Sequence, residues 1–134
     1  MGIKNEQIII CKKYNTEIYP VSDVSKIGVA ENVKQANLYP INGLRHRPKG
    51  DTNGWYIWAG ENFSYDKNFF LPLHTFHLQI WRPEIIPFLT LPPGYRFLIG
   101  ENGYEDVWFD ELLLNDNKRK IYFRCTETIS RTRV

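Results

Sequence analysis

Cysteine is scarce, with only Cys11 and Cys125 in 134 residues. Each lies in an apolar run near one end of the chain, and no export signal accompanies them. Two buried, reduced thiols acting as small apolar residues are therefore expected, rather than a disulfide. On the same ground the Asn62-Phe63-Ser64 sequon reads as a chance match. Long apolar runs are missing too: none approaches the roughly 18 residues of a membrane span. The opening residues, M-G-I-K-N-E-Q, hold no apolar signal region, and Glu6 stands where a myristoylation signal needs Ser or Thr. The expectation is a cytoplasmic protein without a membrane partner. No internal repeat, heptad or low-complexity segment is present.

The common signatures of catalysis are also lacking. Ser22, Ser64 and Thr75 have no elbow-like glycine context that would support a nucleophile. Gly100-Glu101-Asn102-Gly103 lacks the spacing and the following helix of a phosphate-cradling loop. His74 and His77 have a spacing that could share a metal on a helix. The adjacent glutamate of a zinc-protease helix is absent, however, and no Cys or His follows at ligand spacing. Glu105, Asp106, Asp110 and Glu111 offer carboxylates for an acid–base pair, but acids clustered on strand edges are usually solvated. No catalytic residue, metal or cofactor is assigned. A pocket near His74 and His77, serving a small ligand or a small enzyme, stays open as the alternative to a binding module.

Net charge is small, at +2, and gives no argument for a nucleic-acid partner. Its distribution says more. Residues 60–111 hold eight acids against three bases, a net of −5, while the remainder holds seven acids against fourteen bases, a net of +7. Either the molecule is strongly polar, which suits a charged partner, or folding intermixes the two segments.

What the chain has in quantity is aromatic residues, 15% of the total, including four tryptophans, all between Gly54 and Leu114. Trp55-Tyr56-Ile57-Trp58-Ala59 is the best strand. Trp55, Ile57 and Ala59 share one face and Tyr56 and Trp58 the other, so a central strand covered on both sides is expected. Further strands are expected at Gln7–Cys11, Lys26–Ala30, Tyr95–Ile99, Tyr104–Phe109 and Lys120–Cys125. Gly100–Gly103 reads as a hairpin connection, Asn115–Asn117 as a turn, and Thr126–Val134 as a frayed tail. Pro72 is placed at the first turn of a helix interrupted at Pro83. Gly43 to Gly54 reads as a loop, and its Arg45, His46, Arg47 and Lys49 form either a solvated surface or a basic lip. Together these give one α+β domain over 1–134. Its sheet is largely antiparallel and twisted, with a short helical insert, about 72–90, packed on it.

Asp51-Thr52-Asn53-Gly54-Trp55-Tyr56-Ile57-Trp58-Ala59-Gly60-Glu61 resembles the Gly-Trp…Gly-Glu signature of the Imm33-like or DUF2185-like immunity proteins of bacterial polymorphic-toxin systems. Leu91-Pro92-Pro93-Gly94-Tyr95-Arg96-Phe97 and Tyr104-Glu105-Asp106-Val107-Trp108-Phe109-Asp110 are similar to the same family, and the likeness is strongest over 40–114. The resemblance implies a small cytosolic protein that binds and neutralises a cognate protein toxin, without catalysis of its own. It carries no assignment of contact residues. Those come from charge: Glu101, Tyr104, Glu105, Asp106, Trp108, Asp110 and Glu111 are the expected surface for a basic partner, with Arg45 and Arg47 as a second candidate. Like charges this close repel one another, which a basic partner would offset; the plainer reading is that the aromatics cover the sheet while the acids face water.

Overall fold

A computed structural model describes residues 2–64, 66 and 68–115. The expected strand at Lys120–Cys125, the tail after it, Cys125 itself and most of the Asn115–Asn117 turn lie outside the described residues. The fold is α+β, a six-stranded open sheet with short helical turns. Its strands are β1 (Lys26–Ala30), β2 (Ile41–Arg45), β3 (Thr52–Ala59), β4 (Phe70–His74), β5 (Tyr95–Ile99) and β6 (Glu105–Phe109). They lie side by side in the order β4-β1-β3-β2-β5-β6. Among the described residues only β1 and β3 run parallel, and the other neighbouring pairs are antiparallel.

β3 holds the middle because both its faces are apolar. Trp55, Ile57 and Ala59 join the larger core, under helix α1 (Asn5–Lys13) and the 3-10 turns at Pro83–Phe88. Trp58 is buried on the opposite face with Ala30, Leu44 and Leu113, where Tyr56, Phe63, Phe69 and Phe70 pack around it. Trp58 meets Phe63 edge-on at 5.2 Å between ring centroids. Two glycines let the strands approach. A Cβ on Gly43 would overlap the Phe97 ring of β5, and Gly54, at φ +91°, passes against the carbonyl of His46.

Three local expectations are overturned. Gln7–Cys11 is helix, not strand: Gln7, Ile10 and Cys11, at helical spacing, form the buried face of α1. Gln7 is satisfied at both ends, its Oε1 accepting from Lys4 N at 3.0 Å and its Nε2 donating to Ile86 O at 3.0 Å. Tertiary contact thus outweighs the β preference of three consecutive isoleucines. Pro72 does not start a helix. It lies within β4, and the helical insert begins only at Thr75, running through Thr75–His77, α2 (Leu78–Trp81) and Pro83–Phe88. Finally, half of the expected 43–54 loop is the end of β2 and the start of β3, and only the residues between them, around Pro48 and Gly50, form the connection. Cys11 is a buried free thiol, 3.6 Å from both the carbonyl and the hydroxyl of Thr90.

Trp55 is 1% exposed and its Nε1 donates to Leu89 O at 3.0 Å, tying β3 to the chain above it. Trp55→Ala is expected to lower unfolding free energy by about 3–5 kcal/mol in a urea titration. A loss under about 1 kcal/mol, the range of an ordinary surface change, would contradict the central-strand account.

Candidate functional site: the β5–β6 rim

The basic stretch separates into an inner and an outer half. Arg45, the last residue of β2, is 1% exposed. Its Nε donates to Asn53 O at 2.9 Å, and its Nη1 to the carbonyls of Tyr19, Leu89 and Leu91 at 3.0, 3.2 and 2.8 Å. Burial pushes the guanidinium down to about 10, so it still carries its charge at neutral pH. His46 is buried as well, its Nδ1 3.1 Å from Leu113 O. Arg47 and Lys49 are exposed, and Arg47 Nε donates to Leu114 O at 3.2 Å. With His46, Pro48 and Leu113 they border a cavity of about 330 Å³. A basic lip of four residues is therefore not formed: a strand end takes Arg45 and His46 inward, where distant carbonyls satisfy the guanidinium.

The acidic stretch forms the hairpin of β5 and β6, whose register runs unbroken from Tyr95↔Phe109 to Ile99↔Glu105. Glu105 and Asp110 are engaged by the fold. Glu105 Oε2 accepts from Tyr14 Oη at 2.7 Å and Lys13 Nζ at 3.1 Å, both from the end of α1. Burial, and then the bond to Glu105, hold the Tyr14 phenol well above its ordinary pKa. Asp110 caps the turn at Glu111–Leu114 by accepting from Leu112 N at 3.1 Å, and pairs with the buried Arg96 at 3.1 Å. Arg96 in turn lies 5.4 Å from the Trp108 ring. Asp106 and Trp108 are half-buried on the same sheet face.

Four side chains stand outside this network. Glu101 and Glu111 are exposed at the two ends of the hairpin rim, Tyr104 is 56% exposed and Phe109 50%. Phe109 is absent from the charge-based expectation. Alternation places it beside Val107 on the inward face, but it is the terminal residue of an edge strand, where its ring lies over Gly94 and meets Tyr95 at 5.2 Å. The repulsion expected from the acid cluster is also smaller than sequence spacing indicates, because Lys13 of α1 pairs with Glu105 and Arg96 of the neighbouring strand β5 pairs with Asp110.

His74 and His77 do not share a helix face. His74 ends β4, with Nδ1 3.0 Å from Val24 O, and its ring stacks on Phe76. Among the described residues no group of three or more His, Cys, Asp or Glu is placed to share a metal ion. The 330 Å³ cavity and a second of about 460 Å³, beside Tyr19, Ser25, Asp51 and Asn53, are lined by neither histidine.

Among the described residues the fold and its rim define a small α+β domain whose sheet has β4 and β6 at its edges, the β6 edge acidic and aromatic. The chain matches the family model described as Imm33-like domain over residues 6–110, and it belongs to that family. Comparisons with curated proteins and with solved structures return no match.

Arg45→Met keeps an apolar stem but strips the buried carbonyls of Leu89 and Leu91 of a donor. With about 1–3 kcal/mol lost per unsatisfied buried group, urea titration is expected to show a loss of about 2–5 kcal/mol. Arg45→Lys should recover little of it, since one ammonium does not reproduce the guanidinium fork. Full stability in either variant would contradict the role given to Arg45.

Proposed function

We propose that this protein is an immunity protein that neutralises a cognate bacterial toxin by direct binding in the cytoplasm, with no catalysis and no cofactor of its own. Membership of the Imm33-like family supports the class. The observation that carries the choice of surface is the rim, where exposed Glu101 and Glu111 flank exposed Tyr104 and Phe109. Carboxylates at the border of an interface steer a basic partner and set its approach, while desolvated aromatics supply the holding energy. A basic toxin, such as a nuclease, has the complementary charge. A polyanion does not, which argues against nucleic acid as the direct ligand of this surface. No helix among the described residues is long and apolar enough to cross a membrane.

In this reading Glu101, Tyr104, Phe109 and Glu111 touch the toxin. Glu105, Asp106, Trp108 and Asp110 stand behind them, and Arg45 acts only through the fold. Arg47, exposed beside Lys49, is the second-ranked surface.

Glu101→Lys and Glu111→Lys leave the internal ion pairs intact, unlike Asp110→Lys, which would break the contact with Arg96. Against the toxin encoded beside this protein, each reversal is expected to slow association about tenfold at low salt. The difference should shrink as salt is raised. Association unchanged in both variants at low salt would move the interface off this rim, with Arg47 and Lys49 the next surface to reverse.

A further inference from the structure

The two open edges of the sheet are finished differently. At the β4 edge, Thr75 N donates to Ser25 O at 3.0 Å while Lys26 N donates the other way, to Asp51 O of the β3 side, at 2.8 Å. Main-chain groups along a strand alternate in direction, so Ile27 and Val29 bond β4, and the main chain of Phe70, Pro72 and His74 points outward. Pro72 thus removes a donor from the open side at no cost to the ladder. A proline in that position blunts an edge against further pairing.

The β6 edge carries no such device. Gly100 N donates to Tyr104 O at 2.8 Å and Asp110 N to Gly94 O at 2.7 Å, which fixes the phase at both ends of the hairpin. Trp108 and Asp106 therefore bond Arg96 and Leu98, and the N–H and C=O groups of Glu105, Val107 and Phe109 point away from the sheet. Among the described residues nothing bonds these outward groups, and β6 contains neither proline nor bulge. What guards this edge is negative charge at its two ends, from the exposed Glu101 and Glu111, with Glu105 between them already paired to Lys13. Edge-to-edge pairing of two copies would bring the same carboxylates together, which disfavours a second copy as the occupant. A cationic strand meets no such barrier.

We propose that β6 accepts an extended, lysine- or arginine-rich segment of the partner protein as an added strand. The inference rests on the reading of the rim as the toxin-binding surface, and names the form in which the toxin binds. Main-chain bonds from Glu105, Val107 and Phe109 fix the register of the incoming strand, and its alternate side chains fall on the two faces of the sheet. Cationic side chains reach the exposed Glu101 and Glu111 that flank the strand, while Phe109 on the α1 side and Tyr104 at the start of the strand each receive the side chains that fall on their own face.

The test is residue-resolved amide exchange by NMR, with three probes: the toxin domain encoded beside this protein, a synthetic hexapeptide alternating lysine with valine, and one alternating glutamate with valine. Toxin binding is expected to slow exchange at Glu105, Val107 and Phe109 by about tenfold or more, with Phe70 and His74 on the other edge unchanged. The lysine peptide should protect the same three amides and the glutamate peptide should not. Glu105→Pro removes one outward donor, and the extended conformation of Tyr104, at φ −64° and ψ 134°, tolerates a following proline. Its affinity should fall at least about tenfold below that of Glu105→Gln, which loses the charge but keeps the N–H. Should Glu105→Pro fail to fold, the exchange pattern of the unaltered protein decides. Toxin that binds while the three amides stay unprotected overturns the added strand and leaves the immunity reading standing. Toxin that does not bind at all removes the immunity reading. The lysine peptide then decides the edge, and three unprotected amides would overturn it.

Discussion

The Arg45 guanidinium, buried and bonded to carbonyls rather than to a carboxylate, is the contact on which the arrangement of the chain depends. It sits at the end of β2, between the rings of Tyr19 and Trp55 at 4.8 and 5.6 Å. Its acceptors belong to the segment after α1, to β3 and to the run that leads into β5. Its own carbonyl accepts from Gly94 N at 2.7 Å. One side chain thus joins three stretches that are far apart in sequence. Arg82 repeats the device, donating to Gln35 O at 2.8 Å and to Glu84 at 3.1 Å. Burial tends to raise the Glu84 carboxyl, but the bond and charge of Arg82 prevail and hold it below its ordinary value. Arg96 with Asp110 is the third such staple. Removing one member of a buried charged contact costs more than the contact contributes, because the remaining group is stranded.

These staples have a consequence at the surface. The β5–β6 hairpin is fixed at one end by Lys13 and Tyr14 on Glu105 and at the other by Arg96 on Asp110. Carboxylates that hold the hairpin in place are spent on the fold; Glu101 and Glu111 are left to face solvent with Tyr104 and Phe109. The rim therefore presents its charge and its aromatics on a held backbone, which lowers the ordering cost of binding. The opposite edge, with exposed Leu71, Phe76 and Ile80, is apolar by comparison and is closed to strand addition by Pro72.

Much of the sheet was legible in the sequence because its signal is local. The two-faced run Trp55–Ala59, the strands Lys26–Ala30 and Tyr95–Ile99 and the hairpin at Gly100–Gly103 all follow from alternation and turn residues. The failures share a non-local cause. Ile8-Ile9-Ile10 reads as strand until the buried Gln7 and Cys11 find partners at Ile86 and Thr90. Arg45 reads as a surface cation because its carbonyl acceptors include ones at positions 19, 89 and 91. Pro72 signals a helix start unless the strand holding it is known to be an edge. In the acidic stretch composition correctly located the charge. It did not separate Glu105 and Asp110, which the fold engages, from Glu101 and Glu111, which it leaves outside.

The central claim is that a partner docks on the β6 rim and not elsewhere on the sheet, and hydroxyl-radical footprinting with the neighbouring toxin tests it most directly. Tyr104 and Phe109 mark one edge, and Phe76 and Ile80, 43% and 79% exposed, mark the other. The account predicts that complex formation protects Tyr104 and Phe109 from oxidation while Phe76 and Ile80 react as in the free protein. Protection of Phe76 and Ile80 with Tyr104 and Phe109 unchanged would contradict it.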